Sequence, residues 1–210
     1  MIQGLYEIRK NESEKLFTMW LDAFHDYPKL AEAFPQMDKK LAAMEATIRF
    51  YGMYDLKYGQ AFATNENIDD GIVIVDSEDM QYTASRYIEA GCYSDGYNAA
   101  MNRLTEEEKN RRIAVFDELD ELEKTMDIPY PHIYIDFLGV RRSCQGQGRG
   151  RKLIHKITEY ADGRNRPLML FTNTSDDVAF YQKEGFKVIG VAKSDKYGFE
   201  NTYMVREPGK

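Results

Sequence analysis

Three glycines, Gly146, Gly148 and Gly150, alternate with Gln147 and Arg149 in the stretch QGQGRGRKLI at 145–154. Glycine at this density costs backbone entropy, and the run passes straight into helix-forming residues. In such a turn the backbone N–H groups converge on one concavity. The N-terminus of the following helix adds partial positive charge. Without Cβ atoms a bulky phosphate can approach closely, and Arg141, Arg142, Arg149 and Arg151 add local cations. The implied chemistry is phosphate binding, with a ligand-free glycine turn as the plain alternative. Two nucleotide patterns are excluded. GxxxxGK[ST] fails because no glycine stands five before Gly150 and Arg151 follows it. GxGxxG fails because these glycines are spaced two and two. What remains is Gln145-x-x-Gly148-x-Gly150.

A second candidate precedes the loop. In HIYIDFLGV, 132–140, an alternation of period two predicts His132, Tyr134, Asp136 and Leu138 on one face of a strand, with Ile133, Ile135 and Phe137 on the other. A carboxylate in mid-strand is costly unless paired. Asp136 is therefore a candidate base, or else a structural aspartate bonded to a neighbouring Tyr or Arg. The chain has two cysteines, Cys92 and Cys144, too few for a disulfide framework. Neither His132 nor His155 is placed to activate Cys144 as a nucleophile. No cluster has the spacing of a metal site.

The elements that must position these residues follow from periodicity. Residues 3–9 read as a strand, and Asn11 or Ser13 as the cap of a helix carrying Phe17, Trp20, Leu21 and Phe24. Leu41, Met44, Ile48 and Tyr51 mark another helix after Pro35. GQAFAT at 59–64 and GIVIVDS at 71–77 flank a turn and predict a hairpin. Residues 79–128 are mostly helical, with Thr105–Glu108 as a capping box. From 129 the order is strand, glycine loop, helix, strand, helix stopped by Gly185, strand, strand.

Size and composition bound the rest. A chain of 210 residues, 43% hydrophobic, fits a single domain, 1–210, whose texture changes at 129. A net charge of −7 and a pI near 5.1 argue against a general nucleic-acid binder. The absence of an apolar leader or a membrane-length run predicts a cytoplasmic protein with no membrane partner.

Two segments resemble one family. VRRSCQGQGRGRKLI, 140–154, resembles the acetyl-CoA-binding motif Gln/Arg-x-x-Gly-x-Gly/Ala of the GNAT family of N-acetyltransferases. LFTNTSDDVAFYQKEGF, 170–186, resembles that family's strand, helix and Phe-Tyr-x-x-x-Gly-Phe segment, in the same order along the chain. The resemblance implies an α/β (α+β) fold with a mixed, mostly antiparallel sheet of about seven strands flanked by helices. It implies acetyl-CoA as cofactor, its pyrophosphate held by loop amides of Gln145, Gly146, Gln147, Gly148, Arg149, Gly150 and Arg151. The backbone of Leu138, Gly139 and Val140 would take the pantetheine arm, and the Leu138 N–H would polarise the acetyl carbonyl. Asn173 would bond the cofactor, Tyr181 would act as general acid to the leaving thiolate, and Asp136 would serve as base. Many family members have Asn where Asp177 stands.

The implied reaction is direct acetyl transfer to a primary amine of a small molecule, with a second copy of the chain as an optional partner. Helices of the first half and the 79–128 segment, rich in tyrosine, would form the acceptor pocket. Transfer to a protein lysine or N-terminus is an alternative. A silent acyl-CoA-binding module is another, from a different class.

Overall fold

The computed structural model describes residues 1–34, 37–194, 196–198 and 200–209, without the side chains of 29, 37–40, 119 and 120. Seven strands among them form one sheet: β1 (Tyr6–Glu7), β2 (Gln60–Ala63), β3 (Asp70–Asp76), β4 (Ile133–Val140), β5 (Leu168–Thr172), β6 (Lys187–Lys193) and β7 (Glu200–Arg206). Their order is β1-β2-β3-β4-β5-β7-β6. Only β4 and β5 run parallel; every other neighbouring pair is antiparallel. The helices are α1 (Ser13–Ala23), α2 (Pro28–Ala33), α3 (Met37–Tyr58), α4 (Ala84–Ala90), α5 (Asp95–Asn102), α6 (Glu106–Glu123), α7 (Arg149–Asp162) and α8 (Ser175–Lys183).

Two layers cover the sheet. On one face α7 buries Leu153, Ile154 and Ile157 against Ile72, Ile74, Ile133 and Ile135. On the other, Phe17, Trp20, Met44 and Ile48 of α1 and α3 pack with Val73 and Val75. The two helices meet at Gly52, where a Cβ would stand 2.6 Å from Phe17 and 2.8 Å from Trp20. Both rings are fully buried, so neither can swing into solvent. Gly52→Val should therefore overpack this junction by about 1–3 kcal/mol. Thermal unfolding should show a Tm drop of roughly 5 °C for a chain of this size.

Several local features differ from the sequence expectations. The first strand shrinks to β1, because the chain turns at Gly4 (φ +86°) and enters a 3-10 turn at Lys10–Glu12. Neither Asn11 nor Ser13 caps α1; the Glu12 carboxylate instead accepts hydrogen bonds from the Tyr6 hydroxyl and the Arg9 amide. The 79–128 segment divides into α4, α5 and α6. Gly91 in the left-handed region ends α4, and the Ser94 hydroxyl caps α5. The Thr105–Glu108 box forms in both directions, at 3.2 and 2.6 Å.

The most consequential difference lies in β4. Val73 pairs with Phe137 but Ile74 pairs with Ile135, so Asp136 is an extra residue, a β-bulge. A bulge shifts the alternation by one. Phe137 consequently stacks on Trp20, ring centroids 4.4 Å apart, on the face that carries Tyr134 rather than opposite it. Leu138 joins Ile133 and Ile135 on the α7 face. The expected grouping of Tyr134, Asp136 and Leu138 on one face is corrected accordingly.

Candidate active site

β4 and β5 stay paired only at Ile133–Leu168 and Tyr134–Met169, then diverge. The wedge between them opens at the bulge. The Arg141 N–H reaches back to Asp69 on the β3 side at 2.9 Å. Alternation then directs the backbone groups of Leu138 and Val140 the other way, into the wedge. The Val140 carbonyl accepts a hydrogen bond from the Gln145 side chain at 3.1 Å, which ties the loop to the wedge.

The loop itself is held open by glycine. Gly146 and Gly148 have φ of +73° and +76°, and a Cβ on either would meet nothing within 4 Å. Gly148 is the N-cap of α7, and the first intrahelical bond is Lys152 N–H to the Gly148 carbonyl. The amides of Arg149, Gly150 and Arg151 lie ahead of it and point out of the helix end. The arginine side chains are spent elsewhere. Arg149 donates to Asp70 at 3.1 Å, on a carboxylate with no exposed surface. Arg151 pairs with Glu184 at 2.8 Å and Arg142 with Asp26 at 3.0 Å. The anion cradle is thus backbone. Arg149→Ala should accordingly cost about 2 kcal/mol of stability through the buried Asp70 charge, with acetyl-CoA affinity little changed; denaturant unfolding beside calorimetric titration separates the two.

A cavity of about 530 Å³ runs from this wedge toward α1, α3 and α6. On the wedge side it is lined by Leu138, Gly139, Val140, Gln145, Gly150 and Tyr181. Tyr181 is buried, its ring edge-on to Phe180 and Phe186. Burial, reinforced by the Asp177 charge and by Tyr27, pushes its phenol well above the ordinary range. Tyr27, raised to about 12 mainly by burial, is hydrogen-bonded to Thr172. Asp177 accepts from the Thr172 hydroxyl at 3.0 Å. Asn173 turns away: its amide donates to the Glu200 carbonyl at 2.6 Å and to Asn201, and it is not part of the cavity wall.

On the far side the wall is aromatic and acidic. Tyr51, Tyr82, Tyr87, Phe116, Asp136 and Glu123 line it. No Lys or Arg lines it among the described residues. Asp55 of α3 lies beside Asp136, and burial together with the Asp136 charge raises the Asp55 carboxyl well above its ordinary value.

Residues 102–188 match the acetyltransferase (GNAT) domain family. That stretch is less than half of the chain, and over it the chain is similar to a GNAT acetyltransferase domain. The solved structures agree on the GNAT fold. A crystal structure described as histone acetyltransferase HPA2 and related acetyltransferase, from Corynebacterium glutamicum, superposes with a TM-score of 0.65 at 15% identity, over 100% of this chain and 98% of that one. The ribosomal-protein-S18-alanine N-acetyltransferase of Escherichia coli gives 0.54 at 12% identity, over 98% and 94%. Naa20 from Chaetomium thermophilum, in complex with a bisubstrate analogue, gives 0.50 at 15% identity, over 97% and 86%. None of the curated proteins matches.

GNAT enzymes use acetyl-CoA, and the residues present fit it. The cradle is free of Cβ atoms at Gly146 and Gly148, and the wedge offers unpaired strand edges. No helix among the described residues is long and apolar enough to cross a membrane. Of the residues expected in the GNAT site, all but Asn173 gather along the wedge and loop. Asp55 went unremarked, although a signal exists: Ile48, Tyr51 and Asp55 continue one helical stripe, so the carboxylate sits where the pattern calls for an apolar residue.

Proposed function

We propose that this chain transfers the acetyl group of acetyl-CoA to the primary amine of a small, cationic molecule, by direct attack with both substrates bound. The observation that carries the acceptor class is the wall of the cavity: aromatic rings with Asp136 and Glu123, and no Lys or Arg among its described residues. Such a wall favours an ammonium group through charge and through the ring faces. The volume, about 530 Å³, falls in the range of roughly 300–1,000 Å³ usual for small-ligand sites. Residues of α1–α3 and of the segment 80–123 line this end of the cavity.

Acetyl-CoA supplies an activated acetyl thioester. The chain's own groups do the rest. Amides at the start of α7 hold the pyrophosphate. The Leu138 N–H, directed into the wedge, faces the carbonyl oxygen as it gains negative charge. An alkyl amine has a pKa of about 10, so its ammonium form first gives up a proton to water, and Asp136 accepts the second proton as the neutral nitrogen bonds to the acetyl carbon. The Tyr181 hydroxyl stays protonated throughout and donates to the departing sulfur.

The test is a thiol-release screen with acetyl-CoA against simple amines, polyamines, aminoglycosides, amino acids and peptides. Turnover confined to small cationic amines is expected. Turnover of peptides alone would move the assignment to protein acetylation, and acetyl-CoA binding without turnover would leave a silent module.

A further inference from the structure

Between the end of β3 at Asp76 and the start of α4 at Ala84, the chain runs as a strap, 77–83, that belongs to neither motif. Two of its side chains, Met80 and Tyr82, line the cavity together with Tyr87 of α4. The Tyr82 and Tyr87 rings are nearly parallel, 17° apart in plane, with centroids at 6.4 Å. Gln81, between Met80 and Tyr82, is not part of that wall. Its backbone is held by α3. The Tyr54 hydroxyl donates to the Gln81 carbonyl at 3.0 Å and accepts from the Gln81 N–H at 3.1 Å. The other backbone partners of Gln81, the Asp79 carbonyl and the Thr83 N–H, belong to the strap itself. Tyr54 is therefore its tether to α3.

The ends of the strap are pinned separately. The Ser77 N–H donates to the carbonyl of His132, just before β4, at 3.0 Å, and the Ser77 hydroxyl accepts from the His132 N–H at 2.9 Å. The Arg86 guanidinium donates to the Asp79 carbonyl, and the Thr83 hydroxyl caps α4. Tyr54 secures the middle. Its side chain is 1% exposed, and its ring packs on Tyr58, Tyr82 and Tyr87 with centroids 4.8, 5.1 and 5.3 Å away. A buried phenol needs a hydrogen-bond partner, and Gln81 supplies it in both directions. The hydroxyl and the strap thus fix each other.

The chemistry of this part of the wall follows from its atoms. Met80, Tyr82 and Tyr87 present a thioether and two phenol rings. Such a surface gains by covering carbon and loses where it covers a hydroxyl left without a partner.

We propose that Tyr82 is a specificity-determining residue for the acceptor, selecting amines with an apolar carbon skeleton, and that Tyr54 positions it through Gln81. The role rests on the acetyl-transfer reading of the cavity and narrows it. The reacting nitrogen faces the wedge, and the carbon tail lies along Met80, Tyr82 and Tyr87. Straight-chain alkylamines, cations at neutral pH, are therefore preferred over amino sugars.

The experiment is steady-state thiol release with primary amines from propylamine to octylamine, and with glucosamine as the polyhydroxylated comparison. Wild type, Tyr54→Phe, Tyr82→Ala and the double variant are compared. Wild-type kcat/KM should rise about threefold per added methylene until the tail fills the cavity. Tyr82→Ala should flatten that rise. Tyr54→Phe deletes one oxygen and keeps the ring, so the chain still folds. It should raise the KM of the longer amines about 5- to 10-fold, with kcat within about twofold and acetyl-CoA affinity unchanged. In the Tyr82→Ala background the same change should add less than about twofold, because both act on one contact. Losses that multiply overturn the positioning role. A wild-type series with no dependence on chain length, or a preference for glucosamine, overturns the specificity role.

Hydrogen exchange reads the tether without turnover. The Gln81 amide should exchange about 10-fold faster in Tyr54→Phe, with α3 unchanged; exchange at the wild-type rate overturns the tether. Should wild type acetylate no amine, the acetyl-transfer reading falls and the acceptor role of Tyr82 with it, while exchange at Gln81 still decides whether Tyr54 holds the strap.

Discussion

Tyr181→Phe is expected to lower kcat by about 10²- to 10⁴-fold, the usual worth of a positioned proton donor, while leaving the acetyl-CoA dissociation constant unchanged. The two effects separate because the ring and the hydroxyl have different duties. The ring is buried between Phe180 and Phe186, and phenylalanine fills that space equally well. Tyr181 also lines the cavity on its wedge side. A coenzyme A thiolate is a weaker base than a phenolate, since an ordinary thiol has a pKa of about 8.5 and a phenol one of about 10. Burial raises the Tyr181 phenol further, so it acts chiefly as a strong hydrogen-bond donor as the sulfur gains charge. If Tyr181 served only to pack the core, the variant would turn over at the wild-type rate. Single-turnover thiol release beside calorimetric titration distinguishes the outcomes.

Gly148→Val should produce the opposite split: acetyl-CoA affinity weakened by about 10- to 100-fold, or 1.4–2.8 kcal/mol, in a chain that still folds. Gly148 sits at φ +76° as the N-cap of α7. A β-branched residue is strained there by about 1–2 kcal/mol, and the side chain would enter the open space above the loop. A Cβ at this position meets nothing within 4 Å, so the protein itself does not forbid it. Both costs fall on the cradle. Unchanged affinity with the variant folded would show that the pyrophosphate is held elsewhere.

Much of this arrangement is legible in the sequence. The glycine spacing locates the loop and excludes two nucleotide patterns, because glycine is needed where φ is positive, and Gly146 and Gly148 are such positions. The second-half strands and helices follow from plain periodicity. Four things were hidden. The bulge at Asp136 inserts no unusual residue type, so strict alternation misplaces Phe137 and Leu138. The arginines around the loop look like phosphate ligands, but Asp70, Glu184 and Asp26 lie far from them in sequence and claim them in space. Asp55 and Asp136 are likewise separated by much of the chain, and they come side by side only once α3 crosses the sheet. Asn173 matches the family in sequence, whereas its side chain is bound to β7.

Direct transfer to a small amine is tested most directly by following the acetyl group. Acetyl-CoA labelled in the acetyl carbons, incubated with the protein and a pool of small cationic amines, should yield N-acetylated amine and free coenzyme A in equal amounts. No label should remain on the protein. Label retained on Cys144, or the absence of any N-acetylated amine together with no acetyl-CoA-induced rise in Tm, would contradict it.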